Sequence, residues 1–358
     1  MIRFPSRALS LSLPTVLLAA ATTAPGIASA QDGGIEDKFG ISLRLGVEFE
    51  TEPDAAIALQ DFGSRVTWND RYASGSGPDV LASIDLAYGL DQAVLTREAW
   101  LGLDGDFGTI KGGTQFRAFY DLSTSFTDIG WWDTCYVGIG CARTDGVLKY
   151  ETELTPTVRV IASTTLTDRV FATEDDGVAV INPATGLPIR IGGGDAKNEF
   201  IDQLEAGAIL DAGNIEIGAV LGIDLTGDTG FAVGTSARTS LNEDLNVGVS
   251  LQFASEDYVD LGATADGRDI FTPDFGENLI LASLSANTDN VYGLVSIGDS
   301  ADTLFGITAG YVLPLAGTSK VYAEVSGIDP GGEGSDFDFN ARAVYVYHYG
   351  APEAARRR

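Results

Sequence analysis

Between residues 41 and 49, Ile41, Leu43, Leu45, Val47 and Phe49 alternate with Ser42, Arg44, Gly46 and Glu48. A period of two sends one set to each face of a β-strand, and no helix reconciles it. The pattern returns at 215–225, where Ile215, Ile217, Ala219, Leu221, Ile223 and Leu225 alternate with Glu216, Gly218, Val220, Gly222 and Asp224. It returns again at 245–253. Near the C-terminus Phe337, Phe339, Ala341, Ala343, Tyr345, Tyr347 and Tyr349 alternate with Asp338, Asn340, Arg342 and His348. Segments 80–88, 158–166, 305–313 and 321–326 fit less cleanly, and the facing of 279–286 and 291–297 is ambiguous.

After residue 30 there is no run of about 18 apolar residues, so no transmembrane helix is available. Strands of about 9 to 11 residues, however, match a tilted crossing of a bilayer core. Tight turns such as 211–214 are interspersed with longer acidic connections, 174–198, 256–277 and 329–336, as in a transmembrane barrel. A soluble two-sheet protein also alternates apolar and polar residues. Its polar face meets bulk water and should be crowded with Lys, Glu and Thr. Here the polar face is rich in Gly, Ser, Asn and Arg, and aromatics such as Tyr345, Tyr347 and Tyr349 cluster at strand ends, where interfacial girdles lie. The expected fold is all-β, a closed antiparallel transmembrane barrel. Closure is obligatory, because an open sheet edge in lipid strands backbone groups at several kcal/mol each.

Location comes from residues 1–30. Arg3 and Arg7 precede an apolar run, 8–21, and Ala28, Ser29 and Ala30 form a small-residue cleavage site. This reads as a secretory signal removed before folding, with the barrel as residues 31–358. The chain carries 22 Lys+Arg against 51 Asp+Glu, a net charge of −29. That excess argues against nucleic acid and against a basic membrane-surface helix, and is compatible with cation attraction or with plain solubility of an exported protein. The two cysteines, Cys135 and Cys141, suggest one disulfide in an exported chain.

Segment 97–151 is the most distinctive. Arg97 opens a strand through Trp100, Leu101, Gly102 and Leu103. A tight Gly105, Asp106, Phe107, Gly108, Thr109 turn leads to a second strand ending in Gly113, Thr114 and Gln115. Then comes a long polar stretch, 121–145, with Trp131, Trp132, Tyr136 and both cysteines. A connection that long is usually functional or disordered.

These residues resemble the third and fourth strands of the Gram-negative general porin family, with its Gly-Asp-Phe-Gly-Thr hairpin. Tyr120 and Asp121 are similar to the start of the family's inward-folded third loop, and Arg143 through Glu151 to its exit and the next strand. The resemblance covers about 55 residues, 97–151. It implies a water-filled barrel of about sixteen strands, usually a homotrimer in outer-membrane lipid and lipopolysaccharide, passing small hydrophilic solutes and ions. It implies that the third loop narrows the lumen. Arg97 and Arg143 would then be wall arginines, joined by Arg44, Arg65 and Arg71 from polar-face positions of earlier strands. Asp121, Asp128 and Asp133 would be acids on the loop, and opposed charges would form a filter. Arginine facing lipid would cost about 2–4 kcal/mol near the midplane. Two features depart from the pattern. The chain runs past Tyr349 into a tail, 350–358, where Pro352 stops pairing, and the Cys135/Cys141 pair is not a general feature of the family.

Other chemistry finds little support. Residues 331–339 nearly match the nonapeptide of calcium β-rolls, but a single copy is not a solenoid; loose Ca2+ binding by acidic outer loops is the most it suggests. His348 is the sole histidine and stands without a nucleophile motif. Trp131 and Trp132 read as packing anchors for the loop. The expectation is a passive porin with no cofactor and a mild cation preference. The competing expectation is an exported soluble calcium-binding or adhesive β protein.

Overall fold

The computed structural model describes residues 38–50, 56–88, 94–129, 138–141, 143–166, 201–225, 229–258, 278–299, 303–329 and 338–350. Residues 1–30, the tail beyond Gly350, the β-roll-like stretch up to Phe337, Trp131, Trp132, Asp133, Cys135 and Tyr136 lie outside them. The strands are β1 (Phe39–Glu50), β2 (Ala56–Asp61), β3 (Arg65–Tyr72), β4 (Asp79–Tyr88), β5 (Val94–Gly105), β6 (Gly108–Phe116), β7 (Arg143–Thr155) and β8 (Val158–Leu166). They continue as β9 (Ile201–Asp211), β10 (Ile215–Asp224), β11 (Gly230–Ser240), β12 (Asn246–Ala254), β13 (Leu279–Asn287), β14 (Val291–Asp299), β15 (Thr303–Pro314), β16 (Ser319–Asp329) and β17 (Asp338–Gly350). Between β6 and β7 lie a helical turn, α1 (Ala118–Leu122), and a 3-10 turn (Thr124–Phe126).

Every strand pairs antiparallel with its neighbours, and β1 closes the ring on β17, Leu45 opposite Tyr345. Both β2 and β3 pair with β1, at Leu45–Asp61 and at Ser42–Arg65, so they are two halves of one barrel strand. The seventeen segments therefore make a closed sixteen-strand barrel. The hairpin 97–115, which resembles the family's third and fourth strands, is formed by the fourth and fifth strands of this barrel, with β2 and β3 counted as one.

The alternation sets the facing. Leu43, Leu45, Val47 and Phe49 are exposed on the outer surface, while Ser42, Arg44 and Glu48 are buried inside. Leu221, Leu251, Ile297, Ile307 and Val325 repeat the apolar exterior on later strands. A soluble sandwich buries that face, so the competing expectation is not favoured. The longest connections, 117–142, 167–200 and 255–278, all open at one end of the barrel. The other end carries tight turns, including 211–214, where Gly213 takes φ 87°.

The register of the described strands steps at five places, three of them between β1 and β7 and the others at Glu153/Thr155 and Thr165/Leu166. Between Leu45/Asp61 and Ser42/Arg65, two residues of β1 face three, Phe62, Gly63 and Ser64, and Gly63 adopts φ 76°. In β5 the register steps from Asp85–Glu98 to Leu86–Thr96, leaving Arg97 as the extra residue. A third irregularity separates Gly113 from Gln115 on β6, opposite Asp145 and Gly146 near the start of β7. A bulge adds one residue, bends the strand and re-aims side chains. Without the first, Val66, Trp68 and Tyr72 would face the lumen instead of the exterior.

Candidate constriction site

The segment between β6 and β7 folds inward. α1 rests on β8, β9, β10 and β11, and the following turn rests on β11 and β12. Polar side chains on that wall complete the hydrogen bonds of a helical turn too short to satisfy its own ends. The Ala118 N–H donates to Ser163 Oγ at 2.9 Å and the Phe119 N–H to Glu205 Oε2 at 2.8 Å. Ser236 Oγ donates to the Leu122 carbonyl at 2.8 Å, and the Ile139 N–H donates to Gln252 Oε1 at 2.8 Å. Gln252 Nε2 also donates to Thr124 Oγ1 at 2.9 Å. Beneath the turn, fully buried Arg117 pairs with Glu205 at 3.1 Å and hydrogen-bonds Gln203.

The seat itself is glycine. A Cβ on Gly218 would strike the Leu122 carbonyl oxygen, one on Gly248 the Phe126 carbonyl oxygen, and one on Gly234 would lie 2.8 Å from Ser123 Cβ. Gly207 abuts Leu122 Cδ1 at 2.8 Å by the same construction. Four adjacent strands thus give up their side chains where the loop approaches, two of them against its backbone and two against its side chains. Phe119, Leu122, Phe126 and Ile139 fill the space between with Ile161, Ile209 and Val220 in one apolar cluster.

Charged residues gather on the rest of the inner wall. Arg97 lies 3.6 Å from Asp85, and Arg143 donates to Glu98 at 3.1 Å. Arg143 also covers the Phe116 ring at 4.0 Å, and Phe116 stacks on Tyr120 with centroids 3.8 Å apart. From β7, Lys149 reaches Asp121 on α1 at 2.7 Å, and from β6 Lys111 meets Glu151 at 2.9 Å. Burial pushes the Asp121 carboxyl up from its ordinary range, with Lys149 opposing. Farther round, Arg342 pairs with Glu48, and Tyr292 Oη donates to Glu324 at 2.6 Å.

The sequence-derived residues thus divide. Arg44, Arg65, Arg97 and Arg143 lie on inward positions of β1, β3, β5 and β7, and Asp121 lies on the inward loop. Arg44 is nevertheless only 1% exposed, packed into the wall with its Nε donating to Ser42 Oγ at 3.0 Å. Arg71 stands apart at the tight-turn end, with a 56% exposed side chain bound to Asp79 and Asp104. Asp128 accepts from Tyr120 Oη on the same loop. Cys141 is buried, and its expected partner Cys135 and the acid Asp133 fall outside the described residues. Glu48, Asp85, Glu98, Lys111, Arg117, Lys149, Glu151 and Glu205 were not foreseen. Their signal was available, since each occupies a polar-face position in or beside an alternating strand. The glycines of the seat carried the same signal, a small residue at the inward place on four neighbouring strands.

No family model and no curated protein matches the sequence. Solved structures do match. The OmpF structure from Salmonella typhi, in complex with daunomycin, superposes with TM-score 0.62 at 11% identity, covering 89% of this chain and 100% of that one. The anion-selective porin from Comamonas acidovorans gives 0.60 at 12% identity, covering 87% and 98%. The outer-membrane channel DcaP of Acinetobacter baumannii gives 0.60 at 12% identity, covering 86% and 96%. The chain therefore has the fold of the outer-membrane porins, over nearly the whole of both partners.

Proposed function

We propose that this chain is an outer-membrane porin of a Gram-negative bacterium, a water-filled channel for passive diffusion of small hydrophilic solutes and ions. One observation carries the reading. An apolar exterior surrounds a lumen lined with charge, and the loop after β6 is fastened across part of that lumen. Leu43, Leu45 and Val47 suit hydrocarbon, and Arg97, Glu98, Arg143, Lys149 and Glu151 suit water. In a narrow aqueous pore, opposed carboxylate and guanidinium groups set width and charge preference together. Arg97 and Arg143 face the path from the wall and Asp121 faces it from the loop. Arg44 and Arg65 contribute their field, and Arg71 belongs to the turn-end mouth. The acidic excess gives mild cation preference.

The polypeptide enters through the export signal at 1–30, and a Cys135–Cys141 disulfide stiffens the loop. The assembly is a homotrimer in lipid and lipopolysaccharide, and the acidic outer loops bind Ca2+ at most loosely. The test is conductance of the refolded chain in a planar bilayer, with polymer exclusion to size the hole. Discrete ohmic steps support the reading. A folded, monomeric chain that stays dissolved in plain buffer and passes no current refutes it.

A further inference from the structure

The inward loop is only one side of the narrowing. Counting round the sixteen-strand ring, the loop's seat is centred on β10, and the strand eight places away is β1. There the wall bulges. At the first irregularity the Phe62 N–H donates to the Arg44 carbonyl at 2.8 Å, and the Arg44 N–H donates to Ser64 Oγ at 2.9 Å. Asp61 Oδ1 accepts from the Ser64 N–H at 2.6 Å and clamps the turn. The extra residue lets both Phe62 and Arg65 face inward from one barrel strand.

Phe62 enters the lumen and is 0% exposed, packed on Val344 and Val346 with Tyr322 beside them. All three partners hold inward positions, since they alternate with outward Tyr345, Tyr347 and Ala323. A wet wall has no use for this cluster. Three apolar side chains and a ring on the lumen face exclude water from that sector. Gly46 makes room at its base, because a Cβ there would lie 2.8 Å from Val344 Cγ2. The cluster surrounds the backbone of Arg44, which is 1% exposed and whose Nε donates to Ser42 Oγ at 3.0 Å.

We propose that Phe62, with the bulge at 61–64, is a second constriction element. It is an apolar wedge that fills the lumen opposite the loop and holds Arg44 as a buried charge in the wall. The inference rests on the porin reading and adds the wall's share to it. Width is then set from both sides, and charge preference depends in part on a residue outside the permeation path.

The experiment measures single-channel conductance and zero-current potential in a salt gradient, on the full mature chain, for wild type and three variants. Phe62→Ala is expected to raise conductance, because water enters the hollowed sector. Ser42→Ala removes the hydroxyl that accepts from Arg44 Nε. It is expected to shift the zero-current potential with little change in conductance. Phe62→Leu keeps the packing and is expected to restore wild-type values, which covers the case in which the alanine variant does not assemble. Conducting wild type with unchanged conductance in Phe62→Ala and unchanged potential in Ser42→Ala overturns the wedge and leaves the porin reading standing. Wild type that passes no current overturns both.

Discussion

Replacing Gly218 by alanine should push the loop off its wall. The new Cβ would collide with the Leu122 carbonyl oxygen and lie 3.1 Å from its carbon and 2.7 Å from Ser236 Oγ. Restoring ordinary van der Waals spacing requires the loop backbone to retreat by about 1 Å. The same movement breaks the Ser236–Leu122 hydrogen bond, about 1 kcal/mol, and adds overpacking strain of about 1–3 kcal/mol. The barrel ladder is untouched, so the strain falls on the loop. Arg117–Glu205, the Ser123–Ser250 hydroxyl contact and Ile139–Gln252 still tether it, so it moves rather than unfolds. β10 stands behind α1, and the only direction of escape is toward the pore axis. Single-channel conductance should therefore fall, and the polymer cut-off should shift to smaller sizes. Amides of 118–126 should also exchange faster with solvent. Gly293→Ala is the control, because a Cβ there meets nothing nearer than Thr308 O at 3.7 Å. Wild-type conductance and wild-type exchange in Gly218→Ala would refute the glycine seat.

Glu205→Ala should strand Arg117 without its carboxylate, destabilising the seated loop by about 3–5 kcal/mol, read as protease cleavage near 118–129 in otherwise folded barrels. Charge reversal at Arg97 to Glu should move the zero-current potential toward cations, whereas Arg71→Ala, at the mouth, should leave it nearly unchanged. Equal shifts from the two would contradict the placement of the filter. Shortening 123–142 should raise conductance, and an unchanged value would mean that the loop does not narrow the pore. Because burial raises the Asp121 carboxyl, it should take up a proton while ordinary carboxylates, near 4, are still charged. As pH falls, selectivity should drift toward anions above that range, and Asp121→Asn should remove the drift.

The barrel was legible because its physics is repeated at every strand. A run such as 41–49 announces both strand and facing, and residues that meet hydrocarbon cannot be polar without cost. Segment 158–166 coincided with β8 (Val158–Leu166). β2 and β3 show no continuous alternation, although Arg65 and Arg71 read as polar-face positions, because Phe62 and Gly63 break the period and the outward set changes parity between Leu59 and Val66. β11 hid for a different reason. Its outward face includes Thr235, Ala237 and Thr239, which pair across to Ala219, Ile217 and Ile215 but blur the alternation. The candidate site was legible as residue types on inward positions. Its partners were not, since Arg117–Glu205 spans 88 positions that only the closed ring brings together. That Arg44 is buried while Arg71 is at the mouth depends on bulges and strand ends, neither of which leaves a periodic trace.

The seat for α1 does not exist until β8 through β12 have zipped side by side. Leu122 finds Ser236 across 114 positions of chain, and Ser123 finds Ser250 across 127. Contacts so remote form late, after the local hairpins that carry them. During insertion, then, the hole should first open wide and only afterwards be trimmed to its working bore, so a barrel arrested at that moment would leak more than the finished one.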